Sequence, residues 1–402
     1  MSKNITGGIC APQGFKAAGV KAGIKKSGKE DVSIIYSEVP AAVAAMFTTN
    51  AMAAAPVIVS RQAVQNGTIQ AVAVNSGCAN ASTGEQGLID AKTMAEVAAT
   101  ALGIAKDEVI VASTGIIGVN LPMDKVTAGI KKAAGELSKD GYAKALKGIM
   151  TTDTFEKECA YEFELNGKAV RIAGIAKGAG MIHPNMATML CFITTDAAIS
   201  PAVLKEALNE AVNLSFHMIT VDGDTSTNDM ISVLANGKAG NKLIDAKASS
   251  DYQKFVAMLK QVCIHLAKQV VQDGEGATKF LEITVRGATD FADAKVVAMA
   301  VAKSPLVKTA FFGQDPNWGR ILCAVGYSGA KVDQTNTTLA LGGITIVKGG
   351  VDSKPDIHAL NKVMGEREIK VEIELGQGTA EATVWTCDFS YEYVKINADY
   401  ST

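Results

Sequence analysis

The sequence predicts an α/β protein in which mixed sheets are layered with helices, and three observations predict it. Short runs of β-branched and apolar residues recur along the whole chain. Between them lie stretches with apolar residues at near-helical spacing, such as Leu88, Ala91, Met94, Ala95, Ala98 and Leu102. One hairpin is written outright, because Asn166-Gly167 separates two alternating runs. With 402 residues and 48% hydrophobic content, the chain is long enough for two or more substantial cores.

Residues 8–24 are rich in Gly and Ala without a helical period, so they read as loop and edge segments. A short strand follows at 32–36, and the small-residue block 39–57 is uninformative by itself. Residues 69–74 alternate as a strand and end in a polar turn, where Asn75 and Asn80 read as turn formers ahead of site residues. A helix opens at Thr83-Gly84-Glu85-Gln86 and continues to Leu102. The strand at 108–112 ends in Ser113-Thr114-Gly115-Ile116-Ile117-Gly118, which reads as a strand-to-helix turn. Such a turn also offers donors, and the Thr114 hydroxyl and Gly115 N–H are of the kind that acyl transfer aims at a developing oxyanion. Helices are expected over 126–137 and 141–150, closing on the cap or turn cluster Thr151-Thr152-Asp153-Thr154. The hairpin strands cover 159–165 and 168–175.

Downstream, 201–214 is an amphipathic helix, and a short strand then joins an acidic loop within 215–230. Asp222, Asp224 and Asp229 do not complete a calcium loop, which needs glutamate at its twelfth position, where Val233 stands. A long helix over 252–271 closes on a turn in which Glu275 is flanked by Gly274 and Gly276, a setting more often solvated than functional. A strand at 280–285 and helices at 292–302 and after Asn317 follow, with a Gly- and Pro-containing loop before a packed Trp318. Strands near 338–341, 368–375 and 380–387 and a helix over 355–364 complete the pattern, which excludes a helical bundle. By composition alone the tail, 391–402, is an ordinary disordered end.

A formal charge of −2 and the absence of long Lys/Arg runs exclude an electrostatic case for nucleic acid or an anionic membrane. No apolar span reaches the roughly 20 residues needed to cross a bilayer, and the N-terminus does not read as a signal, so a cytoplasmic location is expected. The seven cysteines stand singly, which suggests neither zinc nor disulfides. The four histidines lack metal-ligand spacing, so no metal and no histidine triad are expected.

The chain is organised around the stretch KGAGMIHPNMATML, residues 177–190. Gly178, Gly180 and Pro184 constrain a loop, and from Thr188 to Thr194 an apolar, β-branched run reads as a buried strand. Thr188 then stands at the strand's mouth. The small Ala187 leaves its carbonyl open to the Thr188 hydroxyl, as self-cleavage of an N-terminal nucleophile precursor requires.

This stretch resembles the cleavage loop of the ornithine acetyltransferase family, the glutamate N-acetyltransferases of arginine biosynthesis. The resemblance extends from the Ala11-Pro12-Gln13-Gly14-Phe15 block to the final threonine, with slight departures at Cys78 and His183. It implies a self-processing N-terminal threonine nucleophile fold, cut between Ala187 and Thr188 into an alpha chain, 1–187, and a beta chain, 188–402. It further implies Thr188 as the nucleophile, Thr114 and Gly115 as the oxyanion hole, and Thr151, Lys177, Thr188, Glu275, Asn397 and Thr402 as substrate contacts. The tail is then expected to fold back over the pocket. The implied reaction moves acetyl from N2-acetylornithine to glutamate through an acetyl-Thr188 intermediate. No cofactor is implied, and acetyl-CoA stands as a further donor some family members use. Two alpha and two beta chains are the implied assembly. Two other readings compete: an aminopeptidase or amidase of the related self-processing fold, with water as acceptor, and a non-catalytic small-molecule binding protein.

Overall fold

The computed structural model describes residues 2–183 and 189–399. Nine strands form a first sheet: β1 (Lys3–Asn4), β2 (Phe15–Val20), β3 (Val32–Phe47), β4 (Thr68–Cys78), β5 (Val109–Ile116), β6 (Lys157–Leu165), β7 (Lys168–Lys177), β8 (Leu190–Thr195) and β9 (Met230–Ala235). Their order is β1-β6-β7-β8-β9-β3-β4-β5, with β2 paired to β3. The β4/β5 and β8/β9 pairs are parallel and the other pairs antiparallel. A second, six-stranded sheet comprises β10 (Phe280–Ala288), β11 (Thr338–Leu341), β12 (Ile344–Lys348), β13 (Val351–Asp352), β14 (Glu368–Glu374) and β15 (Ala380–Cys387), ordered β13-β12-β11-β14-β10-β15.

The helices are α1 (Ala55–Ala63), α2 (Gly84–Leu102), α3 (Met123–Gly135), α4 (Tyr142–Ile149), α5 (Pro201–Asn213), α6 (Ser250–Gln272), α7 (Phe291–Lys303), α8 (Pro305–Phe312), α9 (Trp318–Gly326), α10 (Ile357–Gly365) and α11 (Tyr391–Asp399). Helix α6 joins the sheets: Phe255, Leu259, Val262 and Leu266 share one core with Ile172 of β7, Ile193 of β8 and Ile283 of β10. Gly174 lets α6 sit close, since a Cβ there would lie 2.8 Å from Leu266 Cδ1. The apolar run at β8 is explained by burial on both faces. Cys191 and Ile193 join the α5–α6 core, while Leu190 and Phe192 pack with Phe15, Ile35 and Val72 in a second core.

Sequence-level punctuation is reproduced where backbone chemistry is local. Asn166 and Gly167 take φ of 50° and 71°, the paired left-handed values of a type I′ hairpin. At the outer edge of β5, Ser60 of α1 accepts from the Val111 N–H at 2.9 Å and donates to the Val111 carbonyl at 2.7 Å, which satisfies a strand edge that would otherwise be open.

Five segments differ from what the residues alone predict. The short strand at 32–36 is the first part of the 16-residue β3, which runs on past Pro40 through a register shift between Tyr36 and Ala41. Its alanine-rich second half is held by pairing with β9, a tertiary effect that outweighs weak strand propensity. Strand β9 itself, buried throughout, directly follows the acidic loop and escaped the pattern, as did the short α8 and the β12–β13 pair. The tail is a helix through Asp399. Among the described residues, no helix is long and apolar enough to cross a membrane.

Candidate active site

A cavity of about 360 Å³ opens where β4, β5 and β7 end. It is walled by the turn at 151–152, the acidic loop at 222–228, the Glu275 turn and helix α11.

The Thr114-Gly115 pair lies in the last residues of β5, as strand rather than the expected strand-to-helix turn, because β4 pairs with it up to an irregularity at Gly77 and Cys78. Gly115 has φ 131°, and a Cβ there would lie 2.4 Å from the Gly77 carbonyl carbon, so both conformation and space require glycine. Both flanks of the pair are fixed by side-chain amides. Asn228 Nδ2 donates to the carbonyls of Ala79 at 2.6 Å and Ser113 at 2.9 Å. Asn75 accepts from the Ser113 hydroxyl at 2.6 Å and donates to the Cys78 carbonyl at 2.9 Å.

Lys177, the last residue of β7, is 3% exposed and lines the cavity. Its Nζ donates to Thr114 Oγ1 at 3.3 Å, and among the described residues no carboxylate is within ion-pair distance of it. Burial lowers its pKa, against the opposing pull of the Asp153 charge. Asp153 is itself buried, but the Lys177 and Lys157 charges and two hydrogen bonds outweigh desolvation and hold its carboxyl down to about 2. Beneath β8, Asp229 Oδ1 accepts from the Met189 N–H at 3.0 Å, while Oδ2 has no hydrogen-bond partner among the described residues. Burial pushes that carboxyl well up.

Across the cavity, Glu275 accepts from Asn397 Nδ2 at 2.9 Å, which ties α11 over the pocket. Gly180 leaves room for that carboxylate, since a Cβ there would lie 2.3 Å from Oε2. Asp222 accepts from the N–H groups of Met181 at 2.6 Å and Ile182 at 2.8 Å and so holds Met181 in its left-handed conformation, φ 58°. Burial raises the Asp222 carboxyl to about 6. Tyr393 of α11 stacks on Phe389 and faces Asp222, Asp224 and Glu275, whose charges add to burial in pushing its phenol up.

Thr114, Gly115, Thr151, Lys177, Glu275 and Asn397, far apart in sequence, thus line one cavity. Ala187, Thr188 and Thr402 lie outside the described residues. Asn75 is a buried brace for the β4–β5 ends, and Asn80, at φ 49°, is a turn former bonded to Gly87 and Thr83. Among the described residues no cluster of three or more His, Cys, Asp or Glu side chains has metal-holding geometry. Asn228, Met181 and Tyr393 were not singled out by sequence, and Asp222 was weighed there only as a calcium-loop residue. The acidic loop's spacing could be tested only against a calcium pattern, and nothing in the tail's pattern marks Tyr393.

Residues 16–402 match the family model described as the ArgJ family. The chain belongs to the ArgJ family. It is 53% identical over 400 residues to the arginine biosynthesis bifunctional protein ArgJ of Symbiobacterium thermophilum, with 99% of each chain covered. It is 49% identical over 399 residues to the ArgJ of Listeria monocytogenes, again with 99% of each covered. A crystal structure of the ArgJ protein of Bacillus halodurans is 42% identical with a TM-score of 0.51, covering 52% of this chain and 98% of that chain. Family membership makes this chain an acyltransferase of arginine biosynthesis, as the cleavage-loop resemblance implied.

Proposed function

We propose that this ArgJ-family chain transfers the acetyl group of N2-acetylornithine to glutamate through an acetyl ester on Thr188. The observation that carries this reading is the cavity's polarity. Lys177, a buried ammonium with no ion pair among the described residues, faces one end, and the carboxylates of Glu275 and Asp222 face the other, with Thr114 and Gly115 at the end of β5 in the same wall. An N-acyl amino acid with a distal ammonium group matches both ends: its carboxylate completes Lys177 and its amine meets Glu275. Thr151 and Asn397 supply further polar contacts, with Thr402 added by resemblance. A volume of about 360 Å³ is near the lower limit of small-molecule sites, so an acetyl-CoA donor would leave most of its length outside.

In the first half-reaction the Thr188 hydroxyl attacks the acetyl carbon, charge develops on the carbonyl oxygen beside Thr114 and Gly115, and the C–N bond breaks as the ornithine amine takes a proton. The free α-amine of Thr188 is the general base, since its ordinary pKa of about 7.7–8.0 is close to working pH. In the second half, the amine of glutamate attacks the ester and the Thr188 oxygen leaves. Cleavage between Ala187 and Thr188 must precede both halves. The length of the solved Bacillus halodurans chain, matched over 98% of itself but only 52% of this chain, supports a division of the precursor into two pieces. Two copies of each piece form the proposed cytoplasmic assembly, which light scattering would weigh.

Denaturing electrophoresis with N-terminal sequencing is expected to show fragments 1–187 and 188–402, and Thr188→Ala to abolish both cleavage and transfer. An uncut chain with full activity would overturn the threonine mechanism.

A further inference from the structure

Three loops that reach the cavity meet in one buried ionic knot. Asp153 Oδ1 accepts from Lys157 Nζ and from the Gly178 N–H, both at 2.7 Å, and Oδ2 accepts from the Thr151 N–H at 2.9 Å. Lys157 Nζ also pairs with Asp273, which accepts from the Thr154 N–H at 3.0 Å. Through these bonds the knot fixes Thr151, the peptide that follows Lys177, and the segment two residues before Glu275. All three charged side chains are essentially fully buried.

The knot contains two carboxylates and one ammonium, so its charge is unbalanced until a second cation is added. Lys177 is that cation. The charged groups facing it are Asp153, Lys157, Glu275, Asp229 and, more weakly, Lys25. Asp229 is pushed toward its neutral form by burial, and Glu275 is committed to Asn397 across the cavity. Asp153 is the carboxylate that stays ionised throughout.

We propose that Asp153 is a positioning residue for the substrate carboxylate: through the Gly178 and Thr151 amides and its fixed charge, it holds Lys177 as an aligned ammonium and keeps Thr151 in register with it. This rests on the reading above in which Lys177 receives that carboxylate. The sign of the effect follows from the surroundings. Burial already lowers the Lys177 pKa and Asp153 raises it, so removing the Asp153 charge lets Lys177 lose its proton at a lower pH.

The test is the KM for glutamate of fully cleaved enzyme, measured from neutral to alkaline pH. In Asp153→Asn the KM is expected to rise about tenfold at neutral pH, with kcat changed much less, and its alkaline increase should begin at least about one pH unit earlier than in wild type. The neutral double variant Lys157→Gln/Asp273→Asn removes the repelling ammonium and leaves Asp153 to Lys177 alone, so its alkaline limit should move to higher pH. It keeps the proposal testable if Asp153→Asn does not fold. Limits that shift in the same direction in both variants, or in neither, overturn the proposal. Lys177→Met separates the two readings: if it leaves the KM for glutamate unchanged, the assignment of Lys177 itself has failed, whereas lost binding with an unmoved Asp153→Asn limit sinks only the role of Asp153.

Discussion

Lys177 under the first sheet and Lys308 under the second are both buried lysines, and their surroundings differ in kind. Lys308 Nζ donates to Thr386 Oγ1 at 2.9 Å and to the Cys387 carbonyl, with the Phe389 ring 4.5 Å away. Lys279 nearby is similarly occupied, with the carbonyls of Met364 at 2.9 Å and Glu366 at 2.7 Å. Among the described residues Lys177 has a single hydroxyl, at 3.3 Å, and a cavity in front of it. A buried ammonium is costly to desolvate, so a structural one is surrounded by acceptors. One that is left short of acceptors marks where a ligand's charge belongs. Burial lowers the pKa of both lysines, so that shift alone does not tell them apart, whereas the count of partners does.

The comparison breaks most sharply by exchanging each lysine for methionine. Lys177→Met is expected to lower kcat/KM by about two to three orders of magnitude, as for loss of a desolvated charge contact, and its loss of activity should far outweigh its loss of stability. Lys308→Met is expected to do the reverse. It takes the ammonium from the Cys387 carbonyl and from the Thr386 hydroxyl, which keeps the Ala302 carbonyl at 3.2 Å, at a cost of about 1–3 kcal/mol, lowering the melting temperature with a small effect on turnover. Equal losses of activity in the two variants would remove the distinction.

A smaller effect tests the opposite wall. Gly180→Ala places a methyl against the Glu275 carboxylate without any requirement for a left-handed backbone, so the KM for the amino-acid substrate should rise about tenfold while the chain still folds. Kinetics that match wild type would mean that Glu275 moves aside freely.

Asp222 gives a pH-dependent refinement. Its folded-state carboxyl is raised from 3.8 to about 6, so the folded protein holds that proton more tightly than the unfolded chain does. Its contribution therefore favours folding at low pH and is lost as pH rises from about 4 through about 6. Asp222→Asn carries no such titration. The difference in melting temperature, variant minus wild type, should become more positive by a few degrees between about pH 4 and pH 7, and a constant difference would place the Asp222 titration elsewhere.

The smallest expected effect is at the exposed hairpin. Gly167→Ala forces alanine to φ 71° with nothing within 4 Å to clash, so the cost is conformational, about 1 kcal/mol, and activity should be unchanged in a transfer assay.

What the sequence determined by itself is what neighbouring residues decide among themselves. Asn166-Gly167 imposed its hairpin because few residues tolerate paired left-handed values. The apolar face of α6 and the unbroken run of β8 declared themselves by period and burial. Family motifs placed Thr114, Gly115, Thr151, Lys177, Glu275 and Asn397 on a list, and the resemblance assigned their roles. Tertiary structure decided the rest. The alanine-rich half of β3 is a strand because β9 pairs with it, a contact across almost 200 positions that no local period announces. Asp153 and Asp273 were ordinary turn residues in the sequence and Lys157 lay before the expected strand, and they became one buried knot only when α6 packed against β6 and β7. The same holds for Asn228 and Tyr393. A side chain's desolvation and its partners depend on what the whole chain brings to it, and both are set by packing, not by adjacency.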